Sequence, residues 1–236
     1  MVLSSFLPGR RQLVECLVLS IDLQDSTPFY AASDSGTSVR EYLNHLISDL
    51  NIILQGHYPH DGKTTGKGQR HPMPKPLAIK FMGDGFLFIW KRSTVKQKAL
   101  MTFIANMQTY VNAFKTVNNR ALKGEVNKAS LPKALRCGLV GGGLHSFKVK
   151  GHKTTEEWIG PAINLACRLQ SYCKELKFIM HNTGVLTSKE LTSLGWMKVF
   201  ATEIRGHDGM LPVYVNETSF RPLSQASGKL FKKIPL

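Results

Sequence analysis

Two aspartates stand where apolar segments end, and their positions indicate a shared metal site. Asp22 closes the apolar run VECLVLSID, and Asp84 lies at the tip of the turn in AIKFMGDGFLFIW, four residues after Lys80. If the first strand and this hairpin are neighbours in one sheet, the two carboxylates meet at one end of it and repel each other. A pair of Mg²⁺ or Mn²⁺ ions would relieve the repulsion and could hold the attacking and leaving oxygens of an in-line phosphoryl displacement. Either aspartate alone is more simply a turn or cap residue.

The segment after Asp22 is predicted to turn the chain from a strand towards a helix. It consists of Gln24, Asp25, Ser26 and Thr27. Backbone N–H groups at such a turn point outward and suit phosphate oxygens. An ordinary loop with a Ser or Thr cap explains the same residues, so both interpretations stay open.

Asn164 and Arg168 lie four residues apart in EEWIGPAINLACRLQ. The segment 161–175 is predicted as a helix with Pro161 near its first turn, and this spacing puts both side chains on one helix face. An arginine there can neutralise charge that develops on a phosphate in a transition state, and an asparagine can orient a sugar oxygen. A solvated polar face is the alternative for the pair in isolation.

Hydrophobic periodicity predicts an α+β fold for the elements that position these residues. The predicted elements before 161–175 are a strand, a helix, a hairpin, a helix and a strand, over 14–22, 38–54, 77–90, 94–117 and 134–143. A short strand and a final antiparallel pair follow, over 178–182, 197–204 and 211–216. The order β-α-β-β-α-β is that of the ferredoxin-like split βαβ core, an antiparallel-dominated sheet with helices packed on one face.

The length of 236 residues suits one domain. We expect an N-terminal tail over 1–13, a catalytic domain over 14–216 and a basic C-terminal tail over 217–236. Within the domain, a stretch rich in Gly, Pro and Lys at 56–76 predicts a long loop. It contains His57, His60 and His71, which do not predict a metal site without cysteines or a regular spacing.

The charge balance implies an anionic partner. The chain has 31 Lys and Arg against 16 Asp and Glu, a formal net charge of +15. Nucleic acid, an acidic membrane surface or a polyphosphate nucleotide would each qualify, although the basic residues are scattered as on a solvated surface.

No apolar run approaches the ~20 residues of a membrane helix, the N-terminus lacks the basic region of a signal peptide, and the four cysteines show no CxxC pair. A cytoplasmic location with reduced cysteines and no membrane attachment is expected.

Five motifs occur in an order that resembles the catalytic domain of class III nucleotidyl cyclases, the adenylyl and guanylyl cyclases. They are LSIDLQDST, IKFMGDGFLF, LRCGLVGGG, EWIGPAINLACRLQ and EIRGHDGMLPVYV. The resemblance covers about residues 14 to 216. GGDEF-type cyclases and polymerase palms share the ferredoxin-like core and metal aspartates, but the later Asn-x-x-x-Arg helix argues against them.

The resemblance implies roles for the residues already singled out. Asp22 and Asp84 match the aspartates that bind two divalent cations, Mg²⁺ or Mn²⁺, together with the main-chain carbonyl of Leu23. Asn164 matches an asparagine that orients the ribose, and Arg168 an arginine that stabilises the pentavalent phosphate. In this family the active sites lie between two antiparallel protomers, so the resemblance implies a homodimer with two composite sites and a nucleoside triphosphate substrate.

The resemblance also identifies substrate-contacting positions, and some of them depart from the family pattern. Arg205 matches a lysine that contacts the triphosphate, and Lys80 matches the lysine that reads the purine in adenylyl cyclases. Glu157, seven residues before the asparagine, stands where adenylyl cyclases have Asp or Thr. Guanylyl cyclases usually have Glu and Cys at these two base-reading positions, so the chain fits neither rule. Asp25 replaces the usual glycine after the first metal motif.

A single-domain cyclase with altered base-reading positions resembles the bacterial pyrimidine cyclases of the Pycsar antiphage system. Those enzymes make cyclic UMP or cyclic CMP, which activates a separate effector protein. The resemblance and the broken purine rule favour UTP as substrate and cyclic UMP as product. An adenylate cyclase is the alternative that Lys80 supports, and a non-catalytic basic nucleic-acid-binding module is the alternative that the net charge supports. The chain lacks the aromatic platforms of such modules, so no stable nucleic-acid partner is expected.

Overall fold

A computed structural model describes residues 12–32, 36–59, 70–121, 131–149 and 155–233. Within these residues the chain forms nine strands and seven α-helices. The strands are β1 (Gln12–Gln24), β2 (Ala78–Phe81), β3 (Gly85–Lys91), β4 (Ala134–Val149), β5 (Thr155–Ile159), β6 (Phe178–His181), β7 (Trp196–Ala201), β8 (Leu211–Asn216) and β9 (Phe231–Lys233). The helices are α1 (Thr27–Ala32), α2 (Gly36–Leu54), α3 (Gln97–Ala121), α4 (Pro161–Tyr172), α5 (Ser188–Ser193), α6 (Glu217–Phe220) and α7 (Gln225–Gly228). None of these helices combines the length and apolar character that a bilayer-spanning segment needs.

The nine strands join in one sheet. Its order is β2-β3-β1-β4-β6-β8-β7-β9, and β5 pairs with β4 off this path. All the paired strands are antiparallel except β4 and β6. The part β2-β3-β1-β4, with α2 and α3 as its connecting helices, is the split βαβ arrangement. The predicted α+β, ferredoxin-like core with an antiparallel-dominated sheet is therefore confirmed.

Helices cover both faces of the sheet, because the side chains of β1 alternate between two hydrophobic clusters. Leu17, Leu19 and Ile21 belong to the cluster that contains α2 and α3. Cys16 and Val18 belong to the second cluster, which contains the apolar side of α4. The prediction of helices on one face is therefore wrong for α4. A strand that is buried on both faces needs apolar residues at nearly every position, which explains the composition of β1.

Several elements extend beyond those predicted from periodicity. Strand β4 continues to Val149 and pairs with β5, which was not predicted. Residues 217–233, expected as a basic tail, form α6, α7 and β9, and Phe220 and Phe231 are buried in the cluster on the α4 side. These elements have three or four residues each, too few to show a period. Residues 1–11 of the predicted N-terminal tail, loop residues 60–69 with His60, and residues 234–236 lie outside the described part of the chain.

Close packing of α4 against β4 depends on Gly138. A Cβ atom there would lie 2.1 Å from the carbonyl oxygen of Ala166 and 2.8 Å from the amide nitrogen of Gln170, both in the backbone of α4. We expect Gly138→Ala to push α4 from the sheet and to lower the free energy of unfolding by about 1–3 kcal/mol, the usual cost of overpacking. Urea denaturation followed by circular dichroism measures this. Gly228→Ala is the control, because its added methyl group has nothing within 4 Å; equal losses in both variants would contradict the argument.

Candidate active site

The structure brings Asp22 and Asp84 to one end of the sheet. Strands β1 and β3 are antiparallel neighbours, and their register sets Asp22 opposite Gly85. The absence of a side chain at Gly85 allows the two strands to approach closely, since a Cβ atom there would lie 2.0 Å from the carbonyl oxygen of Ile21. The N–H of Leu23 donates to the carbonyl oxygen of Asp84 at 3.1 Å, which ties the hairpin turn to the end of β1. The sequence predicted that Asp22 and Asp84 meet here, and the role of both residues and of the Leu23 carbonyl as metal ligands, which the resemblance implies, stays a prediction.

Each of the two carboxylates accepts a hydrogen bond from a side chain nearby. Ser26 Oγ, which is buried, donates to Asp84 Oδ2 at 2.8 Å. Arg136 Nη2 donates to Asp22 Oδ2 at 2.5 Å and forms an ion pair with it. Arg136 lies directly opposite Asp22 in the β1–β4 ladder. Arg136 was not singled out from the sequence, although an arginine near the start of the apolar run ALRCGLV is a signal that its strand begins at a polar site.

Negative charge is in surplus at this end of the sheet. Burial raises the pKa of Asp22 above the ordinary aspartate value, the hydrogen bond from Arg136 opposes this, and the neighbouring Asp84 carboxylate raises it again. Burial also raises the pKa of Tyr30, and the charges of Asp84 and Asp22 add to the effect. The buried Tyr30 hydroxyl has no hydrogen-bond partner among the residues that the structure describes. A cation placed between the carboxylates would stabilise their ionised forms and so lower the pKa of Asp22 again.

The donor chemistry here fits hard divalent cations. The protein offers two carboxylates and the main-chain carbonyl of Leu23, and within the described ranges no group of three or more His, Cys, Asp or Glu side chains is found. Mg²⁺ and Mn²⁺ prefer oxygen ligands, and Mg²⁺ commonly uses one or two carboxylates with substrate phosphates completing its coordination. Asp22 and Asp84 are therefore the side chains that would hold such ions.

The turn after Asp22 is strained at one residue. Asp25 has φ 59°, a left-handed conformation that Asp tolerates better than most residues, which accounts for its standing where the resemblance implies glycine. Its carboxylate pairs with Lys133 Nζ at 3.4 Å, and the carbonyl of Gln24 accepts from the Lys133 N–H at 3.0 Å. Thr27 is exposed at the first position of α1. The expected phosphate-binding role of Gln24, Asp25, Ser26 and Thr27 stays a prediction.

Lys80 and Glu157, the two expected base readers, form an ion pair with each other. Lys80 lies in β2 opposite Leu87, whereas Glu157 lies in β5 opposite Phe147. Their side chains are 31% and 33% exposed. A hydrogen-bond donor, Lys80, and an acceptor, Glu157, are thus in contact at a partly exposed position, although β2 and β5 are not neighbours in the sheet.

Asn164 and Arg168 line a separate cavity of about 450 Å³. They occupy successive turns of α4, as the predicted i, i+4 spacing requires. The guanidinium group of Arg168 lies against Gly206, since a Cβ atom there would lie 2.6 Å from Arg168 Nη1. Arg205 is exposed on the same turn. The cavity lining described by the structure is His145, Ile159, Gly160, Pro161, Asn164, Arg168, Gly206 and His207.

A single chain therefore carries two distinct sets of candidate residues. Asp22 and Asp84 do not belong to the described lining of the cavity that contains Asn164 and Arg168. The two histidines of that cavity were not singled out from the sequence, because neither lies in a recognisable metal or catalytic spacing. His145 Nδ1 is buried without a hydrogen-bond partner among the described residues.

Comparison with known proteins identifies the fold. No protein-family model matches the chain, and no curated protein matches it. Among solved structures, the adenylyl cyclase CyaB from P. aeruginosa matches with a TM-score of 0.59 at 14% identity, over 88% of this chain and 95% of that one. The guanylyl cyclase Cya2 matches with a TM-score of 0.55 at 17% identity, over 89% and 93%.

A bacterial light-regulated adenylyl cyclase matches with a TM-score of 0.56 at 15% identity, over 89% of this chain. The chain spans about half of that longer protein, 53% of its length. The guanylate cyclase domain from Catenaria anguillulae, solved with GTP, matches with a TM-score of 0.56 at 14% identity. At these identities the likeness establishes the fold. The chain has the fold of the class III adenylyl and guanylyl cyclase catalytic domain.

Proposed function

We propose that this protein is a nucleotide cyclase, which converts a nucleoside triphosphate to its 3′,5′-cyclic monophosphate and pyrophosphate. The observation that carries the proposal is the joint presence of two site halves in a cyclase fold. The Asp22 and Asp84 carboxylates meet at the end of β1, and Asn164 and Arg168 line a cavity on α4. An Asp pair suits metal-bound phosphates, and an Asn/Arg pair suits a ribose and a phosphate.

In this mechanism the protein contributes mainly position and charge. Asp22 and Asp84 would hold the divalent cations, which would supply acidification of the ribose 3′-hydroxyl and charge neutralisation at the phosphates. Asn164 holds the ribose so that its 3′-oxygen faces the α-phosphate in line with the leaving pyrophosphate. Arg168 and Arg205 meet the charge that develops on the α-phosphate and on the leaving group.

The two halves would be completed by a second copy of the chain. Strand β2 is an edge strand of the sheet, and it exposes apolar side chains: Ile79 is 56% exposed and Phe81 is 54% exposed. Leu77 and Met82, on either side of β2, are also exposed. An apolar edge of this kind is a liability in a monomer and typical of a protein interface. A homodimer would place the carboxylates of one protomer against the Asn/Arg cavity of its partner.

UTP is the substrate that we propose for this site. The Lys80–Glu157 pair offers a donor and an acceptor side by side, which complements the O4 acceptor and N3–H donor of uracil. Because these side chains already contact each other, a purine, which is larger than uracil, would have to separate them and break their ion pair. The product, cyclic UMP, would act as a second messenger for a separate effector in bacterial antiphage defence.

Lys80 also supports a second candidate, an adenylate cyclase, because a lysine can donate to adenine N1.

A competition among four nucleotides tests both the reaction and the base. Purified protein with Mn²⁺ receives ATP, GTP, CTP and UTP at equal concentration, and the cyclic products are separated by mass. We expect cyclic UMP to dominate. Dominant cyclic AMP would replace UTP with ATP as the substrate. No cyclic product from any nucleotide would contradict the cyclase proposal and favour the basic nucleic-acid-binding module, whose binding would weaken steeply with salt.

A further inference from the structure

The structure assigns a positioning role to Tyr172 and, through it, to the C-terminal segment 217–233. We propose that this segment clamps the end of α4 and so fixes the Asn164/Arg168 face of the helix. The inference rests on the cyclase function proposed above and adds a residue to which that function assigned no role.

Tyr172 lies in the same row of α4 as the two candidate catalytic residues. Asn164, Arg168 and Tyr172 follow one another at intervals of four, and side chains at this spacing share one face of a helix. The Tyr172 hydroxyl points to two main-chain acceptors, the carbonyl oxygen of Thr202 and, at 2.6 Å, the carbonyl oxygen of Leu230. The last turn of α4 is thus attached to the end of β7 and to the segment that leads into β9.

The carbonyl oxygen of Leu230 is the centre of this attachment. Besides the Tyr172 hydroxyl, it accepts from the N–H of Thr202 at 2.9 Å and from Thr202 Oγ1 at 3.1 Å. Three donors from α4 and from the residue after β7 therefore converge on one oxygen atom. The next residue, Phe231, is buried and packs edge to face on the Tyr172 ring, with ring centroids 5.4 Å apart.

A second attachment lies just beyond α4. The carboxylate of Glu175 accepts from the Ser224 N–H at 2.9 Å, from Ser224 Oγ at 2.5 Å and from Ser227 Oγ. Ser224 is also the N-cap of α7, because its side chain accepts from the N–H of Ser227. The C-terminal segment therefore holds the chain at the last residue of α4, Tyr172, and again three residues beyond it, at Glu175.

The same junction fixes the turn that contacts Arg168. Thr202 leads directly into Glu203, which has φ 56°, and then into Gly206, which lies against the Arg168 guanidinium. A left-handed non-glycine residue is a strained conformation that persists only when its surroundings enforce it. The hydrogen bonds that Tyr172 and Thr202 make at this junction hold the chain directly before Glu203, so we expect that losing the Tyr172 bonds shifts Gly206 and, with it, Arg168.

Tyr172→Phe tests the clamp while keeping the ring and its packing on Phe231. We expect kcat to fall by about tenfold, since an error of 1 Å in a remote contact can cost as much as ~100-fold. KM should change by less than about twofold, because the ground-state contacts of the nucleotide remain. Thr202→Val, which removes one of the three donors at equal shape, should give a smaller loss of kcat. Tyr214→Phe is the matched control, because it removes a hydroxyl contact with Ser188 that lies outside this junction.

Hydrogen–deuterium exchange of α4 and of residues 201–207 provides a readout that does not depend on activity. The clamp predicts faster exchange in both segments of Tyr172→Phe and unchanged exchange in Tyr214→Phe. Wild-type kcat and KM in Tyr172→Phe would overturn the proposal, as would a lowered melting temperature without any change in kcat. If the wild-type protein makes no cyclic nucleotide, the cyclase proposal fails, and the exchange experiment alone then decides whether the clamp holds α4.

Discussion

We expect Asp84→Asn to abolish cyclic nucleotide formation and to leave the fold intact. The substitution removes one negative charge but keeps the size of the side chain and an acceptor for the Ser26 hydroxyl, which bonds Asp84 Oδ2 at 2.8 Å. If Asp84 is a metal ligand as proposed, Asp22 and the main-chain carbonyl of Leu23 alone would bind divalent cations too weakly to support the reaction. Since electrostatic groups in phosphoryl-transfer sites are commonly worth 10³-fold or more, we expect kcat to fall by at least about 10³-fold.

The measurement is the rate of cyclic product formation at saturating Mn²⁺ and nucleotide, with the Mn²⁺ affinity determined by calorimetry. Glu217→Gln is the control for loss of a carboxylate, because Glu217, the first residue of α6, forms an exposed ion pair with Arg221, which follows the helix. Glu217→Gln should keep wild-type turnover, and near-normal turnover in Asp84→Asn would contradict the metal assignment. An unchanged melting temperature separates a loss of chemistry from a loss of structure.

Mixing two inactive variants restores activity if the active sites are shared between protomers. Arg168→Met removes the guanidinium that lies over Gly206 and should lower kcat by ~10²–10³-fold. In a dimer of one Asp84→Asn chain and one Arg168→Met chain, one composite site carries both defects and the other carries neither. Random reassortment makes half of the dimers mixed, so the mixture should recover about a quarter of wild-type activity.

The experiment requires that the variants be co-expressed with different tags or denatured and refolded together, and that mixed dimers be isolated. Arg221→Met, which removes an exposed arginine directly after α6, replaces Arg168→Met in the control mixture. Its homodimers should be active by themselves. Failure of the isolated mixed dimers to exceed either parent would show that each chain uses its own Asp84 and Arg168, and the composite site would have to be abandoned.

Much of the site could be predicted because its residues lie at the ends of regular elements or in the turns between them. Asp22 ends an apolar strand, Asp84 lies on a hairpin turn, and their meeting follows from one antiparallel pairing. Arg136 could not be predicted as the partner of Asp22, because the β1–β4 register depends on a connection of many residues, not on a tight turn. The same limit hid the Lys80–Glu157 pair as a contact, although both residues were singled out separately.

The C-terminal segment was harder to predict than the core. Its elements α6, α7 and β9 are short, and their attachment uses main-chain carbonyls such as that of Leu230, which carry no sequence signature. A basic composition over 217–236 therefore indicated a tail, whereas burial of Phe231 against Tyr172 makes 217–233 part of the domain. Helix α4 was also predicted on the wrong face of the sheet. Periodicity identifies which side of a helix is apolar, but not which face of a sheet that side packs on.

Side chains of β1 alternate between two hydrophobic clusters, so a substitution affects a different set of helices at odd-numbered and at even-numbered positions. Odd-numbered positions such as Leu17, Leu19 and Ile21 face α2 and α3, where a poor substitution lowers the amount of folded protein. Even-numbered positions face the α4 side, and towards the end of the strand they change from Val18 to the polar Ser20 and Asp22. Substitutions at Leu17 or Leu19 therefore disturb packing against α2 and α3, substitutions at Cys16 or Val18 disturb packing against α4, and the polar positions that follow Val18 can change with less effect on either core.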